Sequence, residues 1–218
     1  TSAKSSMIFL SRYAPLSFDS MELFDRNYKR SFTSNDLTMN NNSFNMQMQA
    51  LYKLSNNWTS QTVLSKSSTK TNGYYHYLWD SANGDEFPRF ISKADGTFYT
   101  TDIQQNFIGD FKIGNMRNRL VAGLDYYNSR LINGGSGWVS NGIVSLVNGT
   151  DSGVLTQAGT DALLTGSFAG NTEANQEIMS AYVSDVLNVT NKLSVMASLR
   201  LDYFDGKTTQ YDGIETKG

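Results

Sequence analysis

A chain of 218 residues with 39% hydrophobic and only 17% charged residues is long enough for one or two domains, and its Gly (18), Tyr (12) and Phe (12) content gives it a β-rich, turn-rich profile. A net charge of -2 and a pI near 5.4 provide no basic field for nucleic-acid phosphates, so nucleic acid is not expected as a partner. The absence of cysteine excludes a disulfide framework, a thiolate metal site and a cysteine nucleophile, and no apolar run reaches the roughly 18 to 20 residues of a membrane helix.

The first 42 residues are polar and without strand alternation, which predicts an external loop segment. Within it Asp19 and Glu22 of "SFDSMELF" have the spacing of a capping box, predicting a short helix over 17–24. In "SFNMQMQALYKL", 43–54, every even position is apolar and only Leu51 breaks the polarity of the odd ones, the pattern of a two-faced strand. "WTSQTVLSKSS", 58–68, is a weaker strand with little contrast between its faces. A long loop is expected over 69–100. In "TDIQQNFIGDFKI" the odd positions Ile103, Phe107, Phe111 and Ile113 oppose Asp102, Asn106 and Asp110. In "RNRLVAGLDYYN" Leu120, Ala122, Leu124 and Tyr126 oppose Arg117, Arg119 and Asp125. A second long loop is expected over 131–176. In "EIMSAYVSDVLNV" Asp185 shares the parity of Met179, Ala181 and Val183, through either a bulge or an interfacial position. In "KLSVMASLRLDYF" Leu193, Val195, Leu199, Leu201 and Tyr203 oppose Arg200 and Asp202.

These elements form hairpins over 43–68, 101–130 and 177–204, with short turns at Ser55–Asn57, Gly114–Met116 and Thr190–Asn191 and long loops between them. Short turns at one end and long loops at the other describe an all-β, antiparallel transmembrane barrel segment of about six long strands, its turns periplasmic and its loops extracellular. Ten residue steps from Phe44 to Leu54 span about 33 Å, and a tilt of roughly 40° reduces this to about 25 Å, the height of an outer-membrane apolar band. Phe44, Tyr126 and Tyr203 at the loop end, with Tyr52 and Phe111 at the turn end, would form interfacial girdles. A soluble or surface-attached β-sandwich adhesin, whose strands also alternate, is the alternative.

The stretch "LNVTNKLSVMASLRLDYFDG" resembles a hairpin of TonB-dependent outer-membrane receptor barrels, in which a Thr-x-Lys/Arg-Leu turn leads into a strand ending Arg-x-Asp-x-Phe/Tyr. "NFIGDFKIGNMRNRLVAGLDYYN" is similar to another such hairpin, and "YKLSNNWTSQTVLSKSSTKTNGYYHYLWD" resembles ferrichrome-type siderophore receptors, especially those of Bacteroidetes. The resemblance implies a place in a barrel of 22 strands in the outer membrane, embedded in its lipid. It also implies a plug domain and TonB complex as partners, ferric siderophore as ligand, and no cofactor beyond the iron of that ligand. Neither plug nor TonB box stands in this chain, and Thr1 opens it without a signal peptide, so an internal barrel fragment is expected. A glycan or peptide importer of the SusC type is a further alternative.

No Ser-His-Asp order, phosphate loop or calcium loop occurs, so neither a catalytic nor a metal site is expected. The single histidine, His76, reads as a loop-surface residue. In "YYHYLWDSANGDEFPRF", Tyr75, Tyr77, Trp79 and Phe90 around Arg89 suit the apolar rim and charge of an iron–siderophore complex, and Trp138 joins them as a candidate from the next loop. The bland reading is that these aromatics form the outer girdle. Arg119, Asp125, Arg200 and Asp202 fall on the lumen parity, where they either contact the plug or solvate the wall.

Overall fold

The computed structural model describes residues 2–5, 8–10, 31–79, 85–145, 147–167, 171–207, 209–211 and 214–216. The described residues form one predominantly antiparallel sheet with a single short helix. Its strands are β1 (Ser2–Ser5), β2 (Ile8–Leu10), β3 (Met39–Lys53), β4 (Trp58–Leu78), β5 (Glu86–Ile113), β6 (Met116–Gly135), β7 (Val139–Ser145), β8 (Thr172–Asn188), β9 (Ser194–Gly206), β10 (Thr209–Tyr211) and β11 (Ile214–Thr216). The long strands follow one another in the order β3-β4-β5-β6-β8, with β9 on β8, so each pairs with its sequence neighbour among them. The helix expected over 17–24 lies outside the described residues.

Two compact units divide the chain, one of residues 44–68, 98–131 and 173–218, the other of 1–43, 69–97 and 132–172. In the first, the β8–β9 ladder keeps an unbroken register from Gln176↔Gly206 to Asn188↔Ser194. One face pairs Met179 with Tyr203, Ala181 with Leu201, Val183 with Leu199 and Leu187 with Val195; the other pairs Ser180 with Asp202, Tyr182 with Arg200 and Ser184 with Ser198. The apolar face is the bare one: Leu199 and Leu201 are 61% and 66% exposed. Ile103, Phe107 and Leu124 share that character, giving a contiguous apolar surface of the kind that lipid covers. Phe44, Tyr52 and Tyr203 are exposed as girdle residues should be, while Phe111 stacks on Trp58 at 5.8 Å.

The turns of this unit explain the sequence that makes them. Gly114, at φ +62, closes the connection between β5 and β6, a left-handed position that glycine takes without strain. After β8, the Thr190 hydroxyl accepts from the backbone N–H groups of Lys192 and Leu193 at 3.1 and 3.0 Å, which is why threonine opens the "TNKL" turn. The register against β9 runs unbroken through Asp185. Its carboxylate accepts from the buried Asn118 amide at 2.7 Å.

In the other unit the strands run far into the segments expected to be loops. Residues 69–78 belong to β4, 86–100 to β5 and 131–135 to β6. β7 and the helix α1 (Gln157–Leu164) lie within 131–176, and β3 begins at Met39 within 1–42. The alternation is hidden there because its phase slips. Gly73 and Tyr74 are consecutive and both buried, as are Ile91 and Ser92. Gly73 sits at φ +145, and a Cβ on it would lie 2.2 Å from the Thr38 carbonyl oxygen, so only glycine fits the slip. β2 adds to β4 in parallel, Ile8 facing His76, and β7 adds to β5 antiparallel with a shift between Pro88 and Phe90. One core joins Leu37, Tyr74, Ile91 and Leu164, with Val139 and Leu155 against it; a second joins Leu78, Phe87 and Val144 under Phe32. Each fully buried aliphatic or aromatic side chain there contributes about 1.5 to 3 kcal/mol. α1 is capped by Thr156, whose hydroxyl accepts from Gly159 N–H at 3.3 Å.

Candidate functional site

On the polar face of the first unit the side chains form a band of two hydrogen-bonded groups joined by one cation–π contact. Arg200 on β9 donates through Nη2 to Asp125 on β6 and to Ser180 on β8, each at 2.8 Å, and through Nε to Asp202 at 2.7 Å. Ser180 in turn donates to Asp202. The Arg200 guanidinium also lies 5.5 Å from the centre of the Tyr182 ring, its cross-strand partner. Tyr182 donates its hydroxyl proton to the Asn106 amide oxygen on β5, and Asn106 donates to Gln61 on β4 at 3.1 Å. The band therefore crosses the wall from β4 to β9.

Gly123 makes the crossing possible: a Cβ there would come 2.5 Å from both the Tyr182 ring carbon Cζ and the Asn106 oxygen. Asp125 and Asp202 thus share one arginine on this face. The expected lumen residues Asp125, Arg200 and Asp202 are brought together. Arg119 is not; it stays exposed, and Asp125 bonds to Arg200. Reasoning from sequence missed Tyr182, Ser180 and Asn106, although their parity, opposite to Val183, Met179 and Phe107, was available to find them.

In the other unit the expected ligand residues separate onto two faces. Tyr77 is the centre of an aromatic group: Phe90 stacks on it at 5.3 Å, while Trp138 and Trp79 meet it edge-on at 4.7 and 5.6 Å. Trp79 and Trp138 are each about half exposed, at 53% and 51%. Tyr75 shares the parity of Tyr77 and is partly exposed, outside those ring contacts.

Arg89 corrects the expectation that aromatics surround it. It points to the opposite, buried face and is 0% exposed. Its guanidinium donates to both Asp151 oxygens at 2.7 Å, to the Phe32 carbonyl at 2.8 Å and to the Asn141 carbonyl at 3.0 Å. A charge buried on a strand must be neutralised and hydrogen-bonded, and here the chain itself does both, leaving Arg89 no role with an external anion.

His76 is likewise a buried strand residue and not a loop-surface one. Burial, with the nearby Arg89 charge adding to it, lowers its pKa from 6.5 to about 4. Its Nε2 lies 3.5 Å from the Thr33 hydroxyl.

A further polar trio went unnoticed in the sequence. The Asp161 Oδ1 atom accepts from the Tyr74 hydroxyl at 2.8 Å and from the Lys93 ammonium at 2.9 Å, and Lys93 lies 5.2 Å from the Tyr74 ring centre. The hydrogen bond to Asp161 raises the pKa of Lys93, and the same bond lowers that of Asp161, so both are charged at neutral pH. Burial, with the bond to Asp161 adding, raises the pKa of Tyr74. Lys93 and Asp161 are 68 positions apart, and no local pattern links them.

Comparison with known proteins places this architecture. The family profile described as TonB dependent receptor-like, beta-barrel matches residues 8–216. No curated protein matches the chain. Among solved structures, the closed form of the ferric-catecholate import receptor Fiu from E. coli K12 superposes with a TM-score of 0.65 at 16% identity, covering 84% of this chain and 26% of that one. BauA, the ferric preacinetobactin receptor from Acinetobacter baumannii, gives 0.65 at 11% identity over 97% of this chain and 31% of its own. The siderophore receptor PiuA from the same organism gives 0.56 at 14% identity, over 82% and 30%. At such identities the likeness is one of fold, and the chain spans from 26% to 31% of the length of these three receptors. The alternating strands are thus those of a barrel wall and not of a sandwich. With a family match that runs almost from end to end, the chain belongs to the TonB-dependent receptor-like β-barrel family.

Proposed function

We propose that this chain supplies wall and outer segments of an outer-membrane receptor that imports ferric siderophore with energy passed on by TonB, a transporter and not an enzyme. The observation that carries this reading is the two-faced β8–β9 wall, bare leucines on one face and the Asp125–Arg200–Asp202 band on the other, in a chain of this family. Such a wall is stable only between lipid and a polar interior. The likeness in fold to receptors for ferric catecholates and preacinetobactin supports a ferric siderophore as cargo. Within that class the finer reading is a ferrichrome-type siderophore in a Bacteroidetes-like receptor, with the receptor's own plug domain against the polar band.

The aromatic group of Tyr77, Trp79, Phe90 and Trp138, with Tyr75 beside it, is the proposed contact for the apolar rim of the ligand. Half-exposed tryptophans report such a contact directly. Adding ferrichrome to the purified receptor, expressed from its complete gene, should quench tryptophan fluorescence, and Trp138→Phe should remove part of the quench. Binding of an oligosaccharide, with no ferric siderophore bound, would overturn the siderophore reading in favour of a SusC-type importer.

A further inference from the structure

Beside α1, in the same unit as the Lys93–Asp161–Tyr74 trio, lies a cleft of about 360 Å³ walled in part by Asn72, Lys93, Asp95, Ser136, Asp161 and Ser167. That volume falls in the range of small-molecule sites, roughly 300 to 1,000 Å³. Its charges cancel in pairs: Lys93 holds Asp161 at 2.9 Å, and Lys70 stands 4.0 Å from Asp95. With no net field, the cleft selects neither anions nor cations.

What remains is neutral hydrogen-bonding capacity of both signs. Asp161 spends Oδ1 on Tyr74 and Lys93, which leaves Oδ2 to accept. The Lys93 ammonium carries three protons and gives Asp161 one of them. The Asn72 amide offers a donor and an acceptor together. Leu164, packed in the core with Tyr74, adds an apolar wall. A carboxylate oxygen, an ammonium and an amide around one small space match vicinal hydroxyls, each of which must both donate and accept.

We infer that this cleft binds a neutral saccharide unit, whose adjacent hydroxyls donate to Asp161 Oδ2 and accept from Lys93 and Asn72 while its C–H face lies on Leu164. The ion pair that frames the site keeps its charged form at neutral pH, because Lys93 and Asp161 stabilise one another's ionised states. This inference goes beyond siderophore uptake and stands or falls separately from it.

The test uses the receptor expressed from its complete gene and purified in an amine-oxide detergent, since glucoside and maltoside headgroups would themselves compete. Glucose, galactose, mannose, xylose, N-acetylglucosamine and their disaccharides are titrated, with saturation-transfer NMR as the readout. At least one neutral saccharide is expected to bind, and Asp161→Asn is expected to weaken it about tenfold or more, the loss of one charged hydrogen bond. Asn72→Ala, which leaves the Lys93–Asp161 pair in place, should weaken it several-fold with the thermal midpoint unchanged. Competition by a free disaccharide identifies a soluble glycan, and competition by lipopolysaccharide identifies a surface glycolipid; either supports the inference. Failure of every neutral saccharide to bind, preference for glucuronate or glucosamine, or unchanged binding in both variants would overturn it. Iron binding by the unaltered receptor is read in the same preparation, so failure of the uptake reading is seen independently.

Discussion

Arg200 on β9 reaches across β8 to hold Asp125 on β6 at 2.8 Å, and the two partners are unequally dependent on each other. The Asp125 side chain is 7% exposed and Arg200 is 46% exposed. Asp125 also keeps a buried oxygen, Oδ1, without a partner. Removing the arginine therefore strands a shielded carboxylate, whereas removing the carboxylate releases an arginine that water can reach.

Arg200→Ala should destabilise the folded receptor by about 1 to 3 kcal/mol, less than a fully buried pair because Arg200 is half open. Asp202→Ala should cost less. The Arg200→Ala, Asp125→Ala double variant should lose less than the sum of the single ones. The temperature at which the folded, heat-modifiable band disappears on a gel gives all of these values; additive losses would contradict the coupling.

Gly123→Ala should cost about 2 to 3 kcal/mol, because its Cβ would have to displace the Tyr182 ring and the Asn106 amide it bonds. Tyr182→Ala in the same chain should relieve the clash. A rescue measured by the same thermal midpoint separates this steric account from a general weakness of β6.

The wall was legible in the sequence because most of its side chains follow alternation, with Leu51 and Asp185 as exceptions, and the register of β8 and β9 runs unbroken from Gln176 to Asn188. The outer segments were not, for a local reason: Gly73–Tyr74 and Ile91–Ser92 each place two consecutive residues inward, so a period of two is lost where the strand itself continues. Arg89 was misread for a related reason. A charged residue beside Phe90 in a polar segment looks exposed, and its partner Asp151 lies 62 positions away. Parity against Tyr77 and Phe90 survives in the structure as the separation of the aromatic group from the buried ion pair.

Arg89→Lys should be nearly as damaging as Arg89→Met, about 3 to 5 kcal/mol, since an ammonium cannot reproduce the fork to Asp151 together with the bonds to Asn141 and Phe32. Limited proteolysis of whole cells should then cut within residues 147–156. Protection of that segment in Arg89→Lys would show that the guanidinium does not hold it.

His76 sets a pH dependence for the same unit. Above its ordinary pKa of 6.5 the ring is neutral both folded and unfolded and adds no pH dependence. As the pH falls from 6.5 towards about 4, the unfolded chain takes up a proton that the folded ring refuses, so stability declines through that window and levels off below it. The full loss across that window should be about 3 kcal/mol. His76→Gln should flatten the thermal midpoint over this range, and an unchanged slope would assign the decline to other groups.

Uptake of radiolabelled iron shows whether this wall belongs to an importer of ferric siderophore. Iron-starved cells making the receptor from its complete gene should accumulate iron supplied as ferrichrome, and should stop when TonB is removed. Accumulation that persists without TonB, or none from ferrichrome or a ferric catecholate in cells that display the folded barrel, would exclude TonB-driven import of ferric siderophore.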